Sequence, residues 1–161
     1  MPVLRKLKEA LDQAKISYEV YNHPRAFTAQ EIAATQHMTG RAMAKVVILE
    51  VDGKFVMAVI PSHRMVNFRL AKSNLDATDI SLATEAQFAT LFPDCEIGAM
   101  PPFGNLFGLR VIADPALEKY EHIFFNAGNH LQTVRLRFRD FKTMVNPEMV
   151  ILTESRKKRA A

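Results

Sequence analysis

The sequence predicts an α+β fold: a compact single domain whose strongly curved, mixed but largely antiparallel β-sheet carries short helices around it. Three observations predict it. An apolar, β-branched run from Ala44 to Val51 returns through Asp52-Gly53 into a second run, Lys54 to Ile60, which is a strong short-range hairpin signal. Two capping boxes, Thr28-Ala-Gln-Glu31 and Thr84-Glu-Ala-Gln87, open short helices among strands. The element order is irregular, with several hairpins, and lacks the strand–helix alternation of a doubly wound parallel sheet.

Taken in order, residues 1–15 form an amphipathic helix with Leu4, Leu7 and Leu11 on one face. Ser17 to Asn22 reads as a strand. The first capping box starts a helix that runs to about Gln36, and Gly40 breaks the chain. The hairpin follows, then a short helix over Met65 to Lys72. The second capping box opens a helix to about Leu91. Glu96 to Gly98 is assigned as a strand leading into the loop Gly98-Ala-Met-Pro-Pro-Phe-Gly104. Leu109 to Ala113 is a strand. Asp114 caps one or two helical turns over Pro115 to Tyr120, with Pro115 at the first helical position. His122 to Asn126 and Thr133 to Arg137 are strands joined through Ala127-Gly-Asn-His130, and Phe138 to Val145 closes the fold as a helix.

The chain has 161 residues, 48% hydrophobic and 24% charged, enough to bury a core without disulfide or metal. Lys and Arg total 21 against 17 Asp and Glu; without Arg156, Lys157, Lys158 and Arg159 the two signs balance at 17 each. The excess charge therefore lies in the last residues, and residues 1–153 are expected to form the domain, with 154–161 a disordered basic tail. Such a tail is either a solvated end or an arm that attracts phosphate. Cys95 is the single cysteine, which suits a reducing cytoplasm. No eighteen-residue apolar run and no apolar signal core at the N-terminus are present, so neither a membrane span nor a secretory leader is expected.

No phosphate-binding glycine loop, dinucleotide fingerprint, HExxH, CxxC or GxSxG occurs, and the five His lack metal-ligand spacing. No metal and no cofactor are expected. Three features remain. Lys45 opens an otherwise apolar strand and shares a face with Val47 and Leu49. At the rim of a core its ammonium needs an anion or a carbonyl oxygen, or else its stem carries it to water. The loop from Gly98 to Gly104 combines two prolines for stiffness with glycines for close approach. It either lines a small pocket, presenting backbone N–H groups to a carbonyl, or is a surface turn. Asn126-Ala-Gly-Asn-His130 is small and polar; His130 orients a water or an amine there, or is an exposed hairpin residue.

The combination resembles the YbaK/EbsC family, the prolyl-tRNA synthetase-associated, insertion-like editing domains. The resemblance rests on Ala44-Lys45-Val46-Val47, the Gly98…Pro102 loop and Asn126-Ala-Gly-Asn-His130. The His23-Pro24 and Ala113-Asp114-Pro115 turns add to it. It covers about Tyr18 to Met144 and implies a free-standing trans-editing deacylase. Such an enzyme hydrolyses the ester of a mischarged small amino acid on tRNA, commonly tRNA(Pro) bearing alanine or cysteine; some relatives act on serine or threonine esters. Carried over by position, Lys45 would engage the phosphate or neighbouring oxygens of the terminal adenosine and place the ester. Gly98, Ala99, Met100, Pro101 and Pro102 would cradle the aminoacyl end. Asn126 and Gly128 would shape the same wall, and His130 matches a histidine of the alanine-editing branch. The implied partners are the acceptor end of mischarged tRNA and prolyl-tRNA synthetase, with no membrane and a cytoplasmic setting. Arg41, Arg64, Arg69 and the tail are candidate phosphate contacts. The competing reading is a non-catalytic regulatory module of the same fold that holds a tRNA end or a nucleotide.

Overall fold

The computed structural model describes residues 5–22 and 42–154. The first capping box with its helix, the His23-Pro24 turn, Gly40, Arg41 and the basic tail lie outside them. Helix α1 (Arg5–Gln13) buries Leu7 and Leu11 completely. It ends where Lys15 takes a positive φ of 56° and Ile16 N–H reaches back to the Leu11 carbonyl. Strand β1 (Tyr18–Asn22) follows.

Strands β2 (Ala44–Val51) and β3 (Lys54–Pro61) form the expected hairpin, register Val51 opposite Lys54. Asp52 and Gly53 both take positive φ, 49° and 82°, as a two-residue turn of this hand requires. The Asp52 carboxylate accepts hydrogen bonds from Thr78 and Asp79 N–H, fixing the next loop. Helix α2 (Phe68–Asn74) starts three residues later than the sequence suggests, because Asn67 is its cap and accepts from Leu70 N–H. Strand β4 (Ile80–Leu82) precedes α3 (Glu85–Phe88), whose Thr84–Gln87 capping box is complete in both directions.

Glu96 to Gly98 is not a strand. Gly98 turns the chain at φ +85°, and the prolines that follow have no N–H for a ladder. Strand β5 (Arg110–Ala113) leads into a 3₁₀ helix over Pro115–Lys119, capped by Asp114 as anticipated. Strands β6 (His122–Asn126) and β7 (Gln132–Arg137) form the second hairpin, and α4 (Phe138–Val145) and β8 (Glu148–Met149) close the described chain.

The strands make two sheets where the sequence suggested one. The first is antiparallel, in the order β1-β7-β6; the second is mixed, in the order β4-β2-β3-β5-β8, with β5 parallel to both β3 and β8. A parallel bridge from Met43 to Phe124 joins them. The main core fills the space between them. Ala44, Ile48, Met57 and Val59 come from one sheet and Ile123, Phe125, Val134 and Leu136 from the other, with α1 and α4 alongside. At its centre Phe103 meets Phe125 and Phe141 at ring separations of 5.6 and 5.9 Å. The opposite face of β2 and β3 buries Leu49, Val51, Val56, Ala58 and Ile60 against Ala71 of α2. Burial on both faces explains why these two strands read as continuous apolar runs and not as alternating ones.

Candidate functional site

The β6–β7 turn is built by its own sequence. Gly128 takes φ +95°, a conformation that suits glycine. Asn129 folds its side-chain oxygen onto Leu131 N–H, and its amide donates to Gln132. Gln132 in turn donates to Asn22 at 3.0 Å, tying the turn to the end of β1.

The Gly98 loop locks onto this turn through the backbone. Gly128 N–H donates to the Ala99 carbonyl at 2.9 Å, and Glu96 N–H donates to the Gly128 carbonyl at 2.8 Å. The His130 ring nitrogen Nε2 lies 2.9 Å from the Ile97 carbonyl. A carbonyl only accepts, so Nε2 carries a proton, and in the neutral tautomer that fits this contact Nδ1 is the acceptor. A Cβ on Gly98 would stand 3.7 Å from the His130 ring, so loop and imidazole are in direct contact. Gly98, Ala99, Gly128 and His130 thus form one hydrogen-bonded unit. Ala99, Met100, Pro101 and Pro102 are buried, with Met100 packed into the main core. The loop is a packed wall and not a surface turn. Sequence reasoning missed Glu96, whose carboxylate receives His130 N–H at 3.4 Å. No local rule ties a carboxylate to a turn thirty-four residues away.

Lys45 is half-buried near the start of β2, opposite Ile60. The Val47–Leu49 face belongs to the smaller core under α2, so Lys45 is at the rim of that cluster and not of the main one. The single parallel bridge from Met43 to Phe124 brings the start of β2, where Lys45 lies, alongside β6, whose last residue is Asn126. Lys45 has no ion pair and no hydrogen bond with any described residue, and burial alone lowers its ammonium pKa below the usual lysine value. A partly desolvated cation without a partner among the described residues is a ready partner for an anion or a carbonyl oxygen.

Cys95 stands near this unit, but burial and the neighbouring Asp94 charge raise its thiol pKa to about 11. It is protonated at neutral pH and poorly suited to nucleophilic attack. A cleft of about 910 Å³ beside the turn is lined by Arg5, Lys6, Asn22, Glu96, Gly128 and Asn129, so Gly128 of the predicted site faces it, while Lys45 and His130 do not line it. Of the proposed phosphate contacts within the described residues, Arg69 is exposed on α2, while Arg64 donates to Thr153 at 3.2 Å. Among the described residues no group of His, Cys, Asp or Glu is arranged to hold a metal, and no helix is long and apolar enough to cross a membrane.

Comparison with known proteins identifies the family. The family model for the aminoacyl-tRNA editing domain matches residues 23–144. The multifunctional Ser/Thr-tRNA deacylase ProXp-y of Escherichia coli (strain K12) is 26% identical over 151 residues, 91% of this chain and 90% of that one. A proline–tRNA ligase of Bacillus cytotoxicus is 27% identical over 106 residues, which is 66% of this chain and 19% of the ligase. A crystal structure assigned to a trans-editing enzyme for prolyl tRNA synthetase superposes with a TM-score of 0.81 at 18% identity, covering 94% of this chain and 96% of that one, and shares the fold. The chain belongs to the aminoacyl-tRNA editing domain family, hydrolases of the ester bond between an amino acid and tRNA.

Proposed function

We propose that the protein is a trans-editing deacylase that removes a small amino acid from tRNA(Pro), with alanine the first substrate to test and cysteine, serine and threonine next. The observation that carries this reading is Lys45: a half-buried ammonium with no partner among the described residues, on a strand that a bridge joins to β6, which leads into the turn that holds His130.

The chemistry needs no nucleophilic side chain. Water adds to the ester carbonyl, the acyl–oxygen bond breaks, and the products are the free amino acid and the tRNA 3′-hydroxyl. The ester is already activated, so orientation and stabilisation of the developing oxyanion carry most of the work. Lys45 supplies the positive charge, for the terminal phosphate or the carbonyl oxygen. His130, its Nε2–H held by Ile97, offers Nδ1 to a water or an amine. The packed wall from Gly98 to Pro102 limits pocket volume. One methylene is worth only about 1–3 kcal/mol in binding, whereas a clash with a stiff wall excludes a larger residue more strongly. The E. coli relative named as a Ser/Thr-tRNA deacylase supports serine or threonine as a second reading. The similarity to a stretch of proline–tRNA ligases supports a setting beside that synthetase.

The test is a deacylation panel on tRNA(Pro) charged with alanine, cysteine, serine or proline, and on seryl and threonyl esters of their own tRNAs. Loss of a noncognate ester with proline spared is the expected result, and the rates should fall as salt rises. Survival of every ester would sink the deacylase reading and leave the binding module. Cys95→Ser should turn over the preferred ester as fast as the parent. At pH 7 a thiol with this pKa is ionised in only about one molecule in ten thousand. A large loss in Cys95→Ser would assign the thiol a role that its protonation state argues against.

A further inference from the structure

The outer face of the three-stranded sheet ends in a row that the site description leaves unexplained. Tyr21 of β1, Thr133 of β7 and Asn126 of β6 are directly opposite one another in register and so share one face. Thr133 is fully buried, and its Oγ1 has no hydrogen-bond partner. A buried hydroxyl without a partner is costly, and native folds keep few of them. The half-buried Asn126 makes no side-chain hydrogen bond to any described residue, and Lys45, on the strand that the Met43–Phe124 bridge joins to β6, has no partner among the described residues either. The row therefore offers a hydroxyl that donates and accepts and a primary amide, with a cation on the adjoining strand β2, none of them partnered among the described residues. The neighbouring row differs: there Glu19 is paired with Arg135 and accepts from the Tyr21 hydroxyl.

We propose that Thr133 and Asn126 are positioning residues for a ribose hydroxyl of the substrate, the one vicinal to the ester. The inference rests on the deacylase reading and deepens it. A neutral hydroxyl both donates and accepts, which matches Thr133 and Asn126. It also sits beside the Lys45 ammonium without repulsion, as the substrate's own α-ammonium would not. Thr133 is fully buried in this structure, and the ligand hydroxyl reaches it as the half-buried Asn126, its register partner, turns aside. Holding that hydroxyl fixes the adenosine end, and with it the angle at which the ester faces Lys45 and His130.

Two non-hydrolysable probes test this: alanyl-adenosine with an amide in place of the 3′-ester, and the same molecule lacking the 2′-hydroxyl. Thr133→Val keeps the shape and deletes the hydroxyl. It should bind the hydroxyl probe about tenfold more weakly than the parent, and the deoxy probe equally well. Thr133→Ser should restore the difference. Because the orphaned polar atom is gone, the melting temperature of Thr133→Val should hold or rise, which separates lost binding from lost folding. Unchanged affinity for the hydroxyl probe would overturn the assignment, leaving the orphan to a buried water. Equal weakening of both probes would overturn it too, since the contact would then lie elsewhere on the ligand. A parent protein that binds neither probe would remove the deacylase reading, and this inference with it.

Discussion

Lys45→Met is expected to lower kcat/KM for the preferred ester by at least about a hundredfold while leaving the protein as stable as before, or more so. The magnitude is what loss of one preorganised charge costs at a developing oxyanion. The stability follows from what the lysine lacks. It has no ion pair or hydrogen bond with any described residue to lose, and burial already disfavours its charged form. Methionine fills a similar volume without the charge, so the apolar contacts of the stem survive. A lysine kept only for its stem would give the reverse pattern, a normal rate with a change in stability alone. Steady-state kinetics and a urea midpoint on the same preparation separate the two.

The lowered ammonium pKa adds a pH signature. In the unfolded chain Lys45 titrates near the ordinary 10.5, and in the folded protein below it. Between those two values the unfolded chain binds a proton that the folded one does not, so this group's contribution to stability rises with pH across that window. Below the window both states are charged and the desolvation cost is constant. Any advantage of Lys45→Met over the parent at neutral pH should therefore shrink toward pH 10. The side chain is only half-buried and water screens the effect, so the narrowing is the readout and not its absolute size.

The elements legible in the sequence are those fixed by rules spanning a few residues. Asp52-Gly53 specified the hairpin turn because its two positive φ values suit few other residue pairs. Thr84 with Gln87, and Asp114 with Pro115, specified helix starts because a cap is satisfied within its first turn. What escaped is non-local. Strand β4 is only three residues long and exists because Leu49, Glu50 and Val51 offer it an edge. Strand β8 exists because β5 accepts it in parallel. Glu96 has nothing in its own segment to show that its N–H will meet Gly128, so in sequence the stretch up to Gly98 reads as a strand. The site divides in the same way. Lys45, Gly98, Gly128 and His130 stood out as residues out of keeping with their surroundings. The contact of His130 with Ile97 comes only from how the Gly98 loop meets the β6–β7 turn, and the nearness of the start of β2 to β6 only from how two sheets meet. Thr133 drew no notice because a threonine in a strand is ordinary; only its missing partner marks it.

Asp114→Ala is expected to cost at least about 3 kcal/mol of stability, the largest single-residue effect on folding foreseen for this chain. Asp114 is 2% exposed, and both carboxylate oxygens are engaged. One accepts from Ala116 N–H at 2.8 Å and starts the 3₁₀ helix after β5. The other accepts from Leu152 N–H, Thr153 N–H and the Thr153 hydroxyl at 3.0, 2.8 and 2.8 Å. Thr153 is itself buried and takes a hydrogen bond from Arg64, so one carboxylate pins the segment after β8 to the end of β5. Alanine would orphan three backbone donors in places where water enters poorly, each worth about 1–3 kcal/mol. Against a total stability of roughly 5–15 kcal/mol that is a large fraction, and the melting temperature should fall by on the order of 10 °C. Asparagine should not rescue it. One of its two atoms is a donor, and wherever the amide is turned it faces an N–H that needs an acceptor. Because Asp114 bonds to none of the site residues, variant that remains folded at low temperature should retain its turnover per molecule. A melting shift of only a degree or two would mean that water replaces the carboxylate, and that the segment after β8 is held by Val150 and Asn67 through their backbone bonds to Ala113 and Leu152.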